Sequence, residues 1–181
     1  AAVHASTGLN MGRQGTLAYW LVQMLAFVTG NLDRRGGNLY SFGFYPAAKA
    51  GRVDPKREVF FDSPYGKMRR IRGSLPGNLL ADEILSGTPR VRALVVVAGN
   101  PLLSVGGGEH LRKAFEQLDL LVVIDLYRSA TGELAHYLLP STDMFERPDI
   151  NITGLGMQYR PYVQYTDAVV APRDERKPEW W

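Results

Sequence analysis

Two short stretches hold the residues whose types and spacing could do chemistry. The first is "VVVAGNPLLS", residues 95–104. A run of apolar residues meets Gly99-Asn100-Pro101, so a buried strand is expected to stop there in a tight turn. Glycine lets backbone approach a ligand, Pro101 stiffens the exit and brings no N–H, and Asn100 offers both a donor and an acceptor. The second stretch is "VVIDLYRSATGELAHYLLPS", residues 122–141. Asp125 closes an apolar run. Its carboxylate can accept two parallel hydrogen bonds from a guanine edge, or bind a ribose diol. Ser129 and Thr131 follow at the mouth of a short helix, whose N-terminus favours anionic groups. Ligands of open parallel sheets lie beyond the carboxyl ends of the strands, which is where both stretches fall. A plain structural reading stays open for each, because Asp at a strand end and Asn-Pro after one are common turn formers.

No catalytic set emerges from these residues. Asp125, Asp143, Glu146 and Asp149 are separated by strand and loop, and nothing makes two of them an acid/base pair. The three histidines, His4, His110 and His136, lack metal-ligand spacing. His110 reads as solvent-facing at a helix start and His136 as a linker residue. "VGGGEH" follows no strand directly and lacks the Lys-Ser/Thr of a phosphate loop, so Gly106–Gly108 read as a lead into a helix.

The elements that must position these residues follow from periodicity. "RVRALVVVAG" predicts a strand buried over its last half, "DLLVVID" a second buried strand and "HYLLP" a third, shorter one. Between them "GEHLRKAFEQL" is a helix with Leu111, Ala114, Phe115 and Leu118 on one face, and "ATGELA" a short helix. "NLLADEILSG" precedes them as a helix with Asn78 as N-cap. This alternation predicts an α/β fold: an open, mostly parallel, Rossmann-like sheet of residues 91–98, 120–125 and 137–139 with flanking helices. Upstream, residues 15–29 predict a long, well-buried helix through Leu17, Trp20, Leu21, Met24, Leu25 and Val28, stopped at Gly30-Asn31. An irregular Gly- and aromatic-rich segment follows. Then comes a loop with one hairpin, "REVFFDSPYGKMRRI", turning at Ser63–Gly66. The expected divisions are 1–40, the helix and Gly-rich turn of a neighbouring domain; 41–77, an irregular basic loop or hairpin; 78–160, a nucleotide-binding α/β domain; and 161–181, a linker or tail. Residues 30–75 are expected to be the least self-sufficient part.

The chain has 181 residues, 45% hydrophobic and 22% charged, enough for a real core and with no apolar run that would span a membrane. Without cysteine it has no disulfide, thiolate metal site or cysteine nucleophile. The net charge of +3 is concentrated at Lys49, Arg52, Lys56, Arg57, Lys67, Arg69, Arg70 and Arg72. A solvated surface loop or a docking segment accounts for that cluster better than nucleic acid, since no nucleic-acid module accompanies it. Both ends read as interior sequence, so a piece of a longer polypeptide is expected. No export signal is visible, and a cytoplasmic location is favoured over an exported one.

Three stretches in order resemble the molybdopterin oxidoreductase family of the dimethyl sulfoxide reductase type. "GLNMGRQGTLAYWLVQMLAFVTGNLDRRGGN" is similar to its Gly-x-Asn, long helix and Leu-Thr-Gly-Asn turn. "ALVVVAGNPLLS" is similar to its strand with Gly-x-Asn-Pro, and "LLVVIDLYRSATGELAHYLLPSTDMFER" to its strand-Asp, Thr-bearing turn, Leu-Pro and following Glu. The resemblance implies that Gly99, Asn100 and Pro101 lie near a molybdopterin guanine dinucleotide. It implies that Asp125 binds the nucleotide, with Ser129 and Thr131 beside it. Val28-Thr29-Gly30-Asn31 and Gly36-Gly37 match the turn that runs near the cofactor, Leu139 and Pro140 the Leu-Pro strand end, and Glu146 the acid beyond it. This chain departs at His136, where the family shows an acid, and at Gly132, where it shows a polar residue.

The cofactor so implied is bis-molybdopterin guanine dinucleotide with molybdenum or tungsten in the full-length enzyme. An iron–sulfur cluster is expected in an N-terminal region that this chain does not contain, as is a metal ligand elsewhere. The implied partners are the remaining domains of its own chain and an electron-transfer protein. Little turnover is expected of the chain alone. An unrelated nucleotide-binding α/β enzyme domain and a non-catalytic assembly protein that kept the fold are the alternatives.

Overall fold

The computed structural model describes residues 1–40, 44, 60–70, 74–151, 158 and 160–181. The basic stretch 49–59, with Arg72, lies outside the described residues, and so does much of the irregular segment expected over 41–77. The chain forms two units, residues 1–50 with 150–164 and residues 51–149 with 165–181.

In the first unit the predicted helix is present as α1, Gly15–Val28. It ends as its sequence requires. Gly30 takes φ 66°, and the N–H groups of Gly30 and Asn31 bond the carbonyls of Phe27 (2.9 Å) and Ala26 (2.8 Å). This is the paired closure that left-handed glycine permits. The chain then folds back on itself. Asn38 N–H donates to the Asn31 carbonyl at 2.8 Å, and a methyl on Gly37 would sit 2.1 Å from that same oxygen. Asn38 also grips the backbone of Val3 from both sides, at 2.8 and 2.7 Å.

The expected burial of α1 is not met. Leu17, Trp20, Leu21, Leu25 and Val28 are each at least half exposed, and within the helix only Gly15 and Ala26 are buried. A helix that is apolar around most of its circumference needs cover on several sides.

The second unit opens with an antiparallel hairpin, β1 (Phe60–Ser63) and β2 (Gly66–Arg69), turning where the sequence indicated. Helix α2 (Leu80–Ser86) follows a 3₁₀ turn at Gly77–Leu79. Asn78 therefore lies inside that turn and caps nothing, contrary to expectation. Next come β3 (Ala93–Val97), a short α3 (Pro101–Ser104) that the sequence reading did not single out, and α4 (Gly108–Glu116). The chain continues through β4 (Leu120–Asp125), α5 (Ala130–Glu133) and β5 (Tyr137–Pro140).

The three strands form one parallel sheet, as predicted, and their order in it is β3-β4-β5. Register aligns Leu94 with Leu121, Val96 with Val123, and Val123 with Leu138. These residues share the face that meets Ile84, Leu111, Ala114, Phe115 and Leu118 in the core. The predicted α4 face is the one that is buried. The prediction that β3 is buried over its last half is corrected: Val95 and Val97 are more than half exposed. They lie on the alternate face of the strand, away from the core that α2 and α4 build.

His136 is more than a linker. Its N–H donates to the Leu121 carbonyl at 2.9 Å, and its Nδ1 accepts from the Leu121 N–H at 2.9 Å. It thereby starts the β4–β5 ladder one residue before β5. His110 is exposed as expected, with Nε2 3.1 Å from Asp82.

Candidate functional site

The carboxyl ends of β3 and β4 open into a cleft of about 460 Å³. Its walls are Ala98–Asn100, Ile124–Tyr127, Ser141–Met144, Arg147 and Glu179. Ala98 enters the first turn with φ 51°, a backbone region that costs a side-chain-bearing residue roughly 1–2 kcal/mol. Such strain concentrates where a loop is held in a set shape. A methyl on Gly99 would meet only Val97 O at 3.8 Å and Val96 at 3.9 Å, ordinary contacts, so nothing in the protein demands glycine there. Among the described residues the N–H groups of Gly99 and Asn100 have no hydrogen-bond partner.

Asn100 faces inward. Its Oδ1 accepts from the Thr131 N–H (3.2 Å) and hydroxyl (2.8 Å), and that hydroxyl oxygen accepts in turn from Leu102 N–H at 3.2 Å. Thr131 is fully buried. Pro101 occupies the first turn of α3, where a missing N–H costs nothing. Ser129 caps α5, its Oγ accepting from Gly132 N–H at 3.2 Å. The N–H groups of Thr131, Gly132 and Glu133 are thus already bonded within the protein.

Asp125 stands differently. Its Oδ1 accepts from Leu126 N–H at 2.6 Å and, more weakly, from Tyr127 N–H at 3.4 Å, which fixes the plane of the carboxylate. Oδ2 has no partner among the described residues, and Asp125 is one of the residues that line the cleft. Asn31 belongs to the first unit, where its Nδ2 donates to Thr29 Oγ1 (2.9 Å) and to the Thr29 carbonyl (3.2 Å).

Sequence reasoning missed the far wall. Ser141 N–H donates to the Asp125 carbonyl at 3.1 Å, extending β5 past Pro140. The chain at Lys177 runs beside it, with Lys177 N–H on the Pro140 carbonyl and Thr142 N–H on the Lys177 carbonyl, both 3.1 Å. Two ion pairs hold this segment. Buried Glu146 accepts from Arg176 at 3.0 and 3.1 Å, from Arg173 N–H at 3.2 Å and from Asp143 N–H at 3.0 Å. The Asp143 N–H foremost holds the Glu146 carboxyl below its ordinary range; burial opposes this, and Arg176 and Arg173 N–H add to it. Arg147 grips Glu179 through Nη1, at 2.6 and 2.5 Å. Burial pushes the Glu179 carboxyl up, but its own backbone N–H, Arg147 and the Ser141 hydroxyl outweigh that and bring it down. The only clue in the sequence was Glu146 in "DMFER". Nothing local pointed to Arg176 or Glu179 as partners from the distant tail.

Chemically, the cleft offers carboxylates at Asp125, Asp143 and Glu179 against one guanidinium, Arg147, already paired. Such a lining suits a ligand edge rich in N–H or O–H donors and disfavours a phosphate inside it. Among the described residues no group of three His, Asp or Glu side chains could hold a metal ion, and no helix is long and apolar enough to cross a membrane.

Comparison with known proteins adds a family. A family model described as molybdopterin oxidoreductase matches residues 1–181. The chain is 36% identical to "Probable oxidoreductase YyaE" of Bacillus subtilis over 97% of its own length and 26% of that protein. It is 33% identical to the thiosulfate reductase molybdopterin-containing subunit PhsA of Salmonella typhimurium, over 88% of the chain and 23% of the relative. It is 27% identical to trimethylamine-N-oxide reductase of Haemophilus influenzae, over 81% and 20%. Among solved structures, acetylene hydratase from Pelobacter acetylenicus matches 57% of the chain and 14% of its own chain, with a TM-score of 0.51 and 27% identity. The chain spans about a quarter or less of the length of these proteins.

Proposed function

Because the chain belongs to the molybdopterin oxidoreductase family, we propose that the cleft beyond β3 and β4 receives the guanine nucleotide end of a molybdopterin guanine dinucleotide. The observation that carries this reading is Asp125: one carboxylate oxygen is clamped by its own turn, the other has no partner among the described residues, and the residue lines the cleft. Guanine presents N1–H and N2–H side by side, a donor edge that a fixed carboxylate matches, and charge-assisted bonds of this kind are the stronger ones. The open N–H groups of Gly99 and Asn100 complement the acceptors of a purine, and the glycine leaves room for close approach. Pro101, Ser129 and Thr131 act on the ligand indirectly, by holding the two turns in shape together with the Asn100 side chain. The acidic lining keeps the diphosphate outside the floor of the cleft. In the same reading the α/β unit is a Rossmann-like nucleotide module, and the turn at Asn31 runs along the cofactor.

The cofactor, in its bis form with molybdenum or tungsten, supplies the redox chemistry when bound. This chain's residues bind and orient its nucleotide end. An iron–sulfur cluster, the metal ligand and the contact with an electron-transfer partner belong to other regions of a longer oxidoreductase. Those regions form the chain's principal partner, and turnover requires them. The short span of the chain relative to its relatives supports this division of labour.

The test is Asp125→Asn in the full-length polypeptide, scoring guanine nucleotide and molybdenum released per folded chain. The amide keeps one acceptor but turns an N–H toward a donor. Loss of a buried charged pairing costs roughly 2–5 kcal/mol, so cofactor content is expected to fall at least about tenfold at limiting cofactor. Wild-type content in a normally folded variant would overturn the assignment.

A further inference from the structure

Two large apolar side chains, Tyr127 and Met144, line the cleft and are 75% and 71% exposed. Each stands on backbone that is held in place. The Tyr127 N–H reaches Asp125 Oδ1 at 3.4 Å, and its carbonyl accepts from Ser129 N–H at 2.9 Å. Met144 sits at the tip of a tight turn from Asp143 to Glu146. Glu146 N–H on the Asp143 carbonyl, Asp143 N–H on Glu146 Oε2 and Phe145 N–H on Asp143 Oδ1 close that turn, each at 3.0 Å. Tyr127 comes from the turn after β4 that carries Asp125, and Met144 from the far wall after β5. Contact of either side chain with a ligand would remove a large apolar surface from water. Fixed backbone beneath the two side chains also keeps the ordering cost of such contact low.

The cleft thus combines two kinds of surface. Its acidic groups, Asp125 foremost, call for N–H donors along an edge. Tyr127 and Met144 offer an aromatic face and a polarisable thioether, which suit the flat face of a ring. A ligand that is apolar on its faces and rich in donors along one edge meets both demands. We propose that Tyr127 and Met144 clamp the guanine base, Tyr127 stacking on one face and Met144 covering the other, while Asp125 reads its edge. This rests on the nucleotide reading of the cleft and adds to it the side chains that supply affinity. Stacking is indifferent to base identity, since every base has a π-face. Selection among bases therefore stays with Asp125.

The test is calorimetric titration of the full-length polypeptide, prepared free of cofactor, with guanosine monophosphate and with inosine monophosphate, which lacks the N2 amino group. The guanosine probe is expected to bind more tightly. Tyr127→Ala should weaken both probes about tenfold and Met144→Ala both about threefold, with the preference between them unchanged. Tyr127→Phe and Met144→Leu should keep the affinity. Asp125→Asn should instead erase the preference, so the clamp and the edge reading fail separately. Equal binding of the two probes to the unmodified protein would sink the edge reading. Unchanged affinity in both alanine variants would overturn the clamp, and a lowered melting temperature beside it would assign the side chains to packing against the rest of the polypeptide. Affinity lost equally in the Phe and Leu variants would also overturn it. If an alanine variant does not fold, guanine absorbance decides: stacking lowers it on binding to the unmodified protein, and unchanged absorbance refutes the clamp. Absence of saturable binding of the guanosine probe would overturn both readings.

Discussion

Asn100 Oδ1 accepts two hydrogen bonds from Thr131, one from its backbone and one from its hydroxyl, and so ties the turn after β3 to the start of α5. One buried threonine thereby sets the spacing of two cleft walls. Thr131→Val keeps the shape but leaves the buried Leu102 N–H and part of Asn100 unpaired. It should destabilise the protein by about 1–3 kcal/mol in denaturant unfolding, and Thr131→Ser should recover most of the loss. Equal stability of the Val variant would show that the network contributes nothing.

Gly99 and Gly37 should respond oppositely to alanine. At Gly37 the added methyl meets the Asn31 carbonyl at 2.1 Å, so Gly37→Ala must unseat the turn after α1, read as lost amide protection at Asn38. At Gly99 the methyl finds only ordinary contacts. Gly99→Ala should therefore keep the melting temperature within about 2 °C, an effect of about 0.5 kcal/mol or less, while reducing cofactor content in the full-length protein.

Thr142 is almost fully buried, lines the cleft, and has an Oγ1 without a partner. A buried unsatisfied hydroxyl is a liability to the fold alone. Thr142→Val, isosteric and apolar, should raise stability by roughly 1 kcal/mol in thermal unfolding. A lowered melting temperature would mean that the hydroxyl has a partner in solution.

His136 occupies a position where the resembled family shows an acid, and its Nδ1 accepts from Leu121 N–H. A carboxylate oxygen can make the same bond. His136→Asp is expected to retain the β4–β5 ladder, whereas His136→Leu should lose about 1 kcal/mol and accelerate exchange of the Leu121 amide. Slow exchange in both variants would count against the bond.

Acid should loosen the tail first. The Glu146 and Glu179 carboxyls are held below their ordinary range in the folded protein. A group with a depressed folded value stabilises above its unfolded value and loses that contribution as pH falls through the folded one. Hydrogen exchange at Lys177 and Thr142 should thus accelerate as pH drops below the ordinary glutamate range, before the β3–β4 ladder opens. Glu146→Gln should mimic the change at neutral pH. Protection that stays uniform down to global unfolding would refute this order.

The sequence alone was enough for the elements that repeat a local rule. Helix α1 with its Gly30 stop, the hairpin turn and the α4 face were all legible, because periodicity and turn chemistry act over a few neighbouring residues. That β3, β4 and β5 run parallel in one sheet was legible too, since short helical crossovers between apolar runs leave few alternatives. The family could be read as well, from three motifs in order.

Tertiary structure decided what depends on distant partners. That the Asn100 side chain braces its turn was not legible, because its partner Thr131 lies on another strand connection. Val95 and Val97 read as buried but lie on the uncovered face, since an apolar run says nothing about whether a helix lies over both sides. The far wall of the cleft came from the tail, where Glu179 and Arg176 reach back to Arg147 and Glu146. No local pattern encodes such a pairing; only the folded chain brings those charges within bonding distance, and with them it closes the space that Asp125 faces.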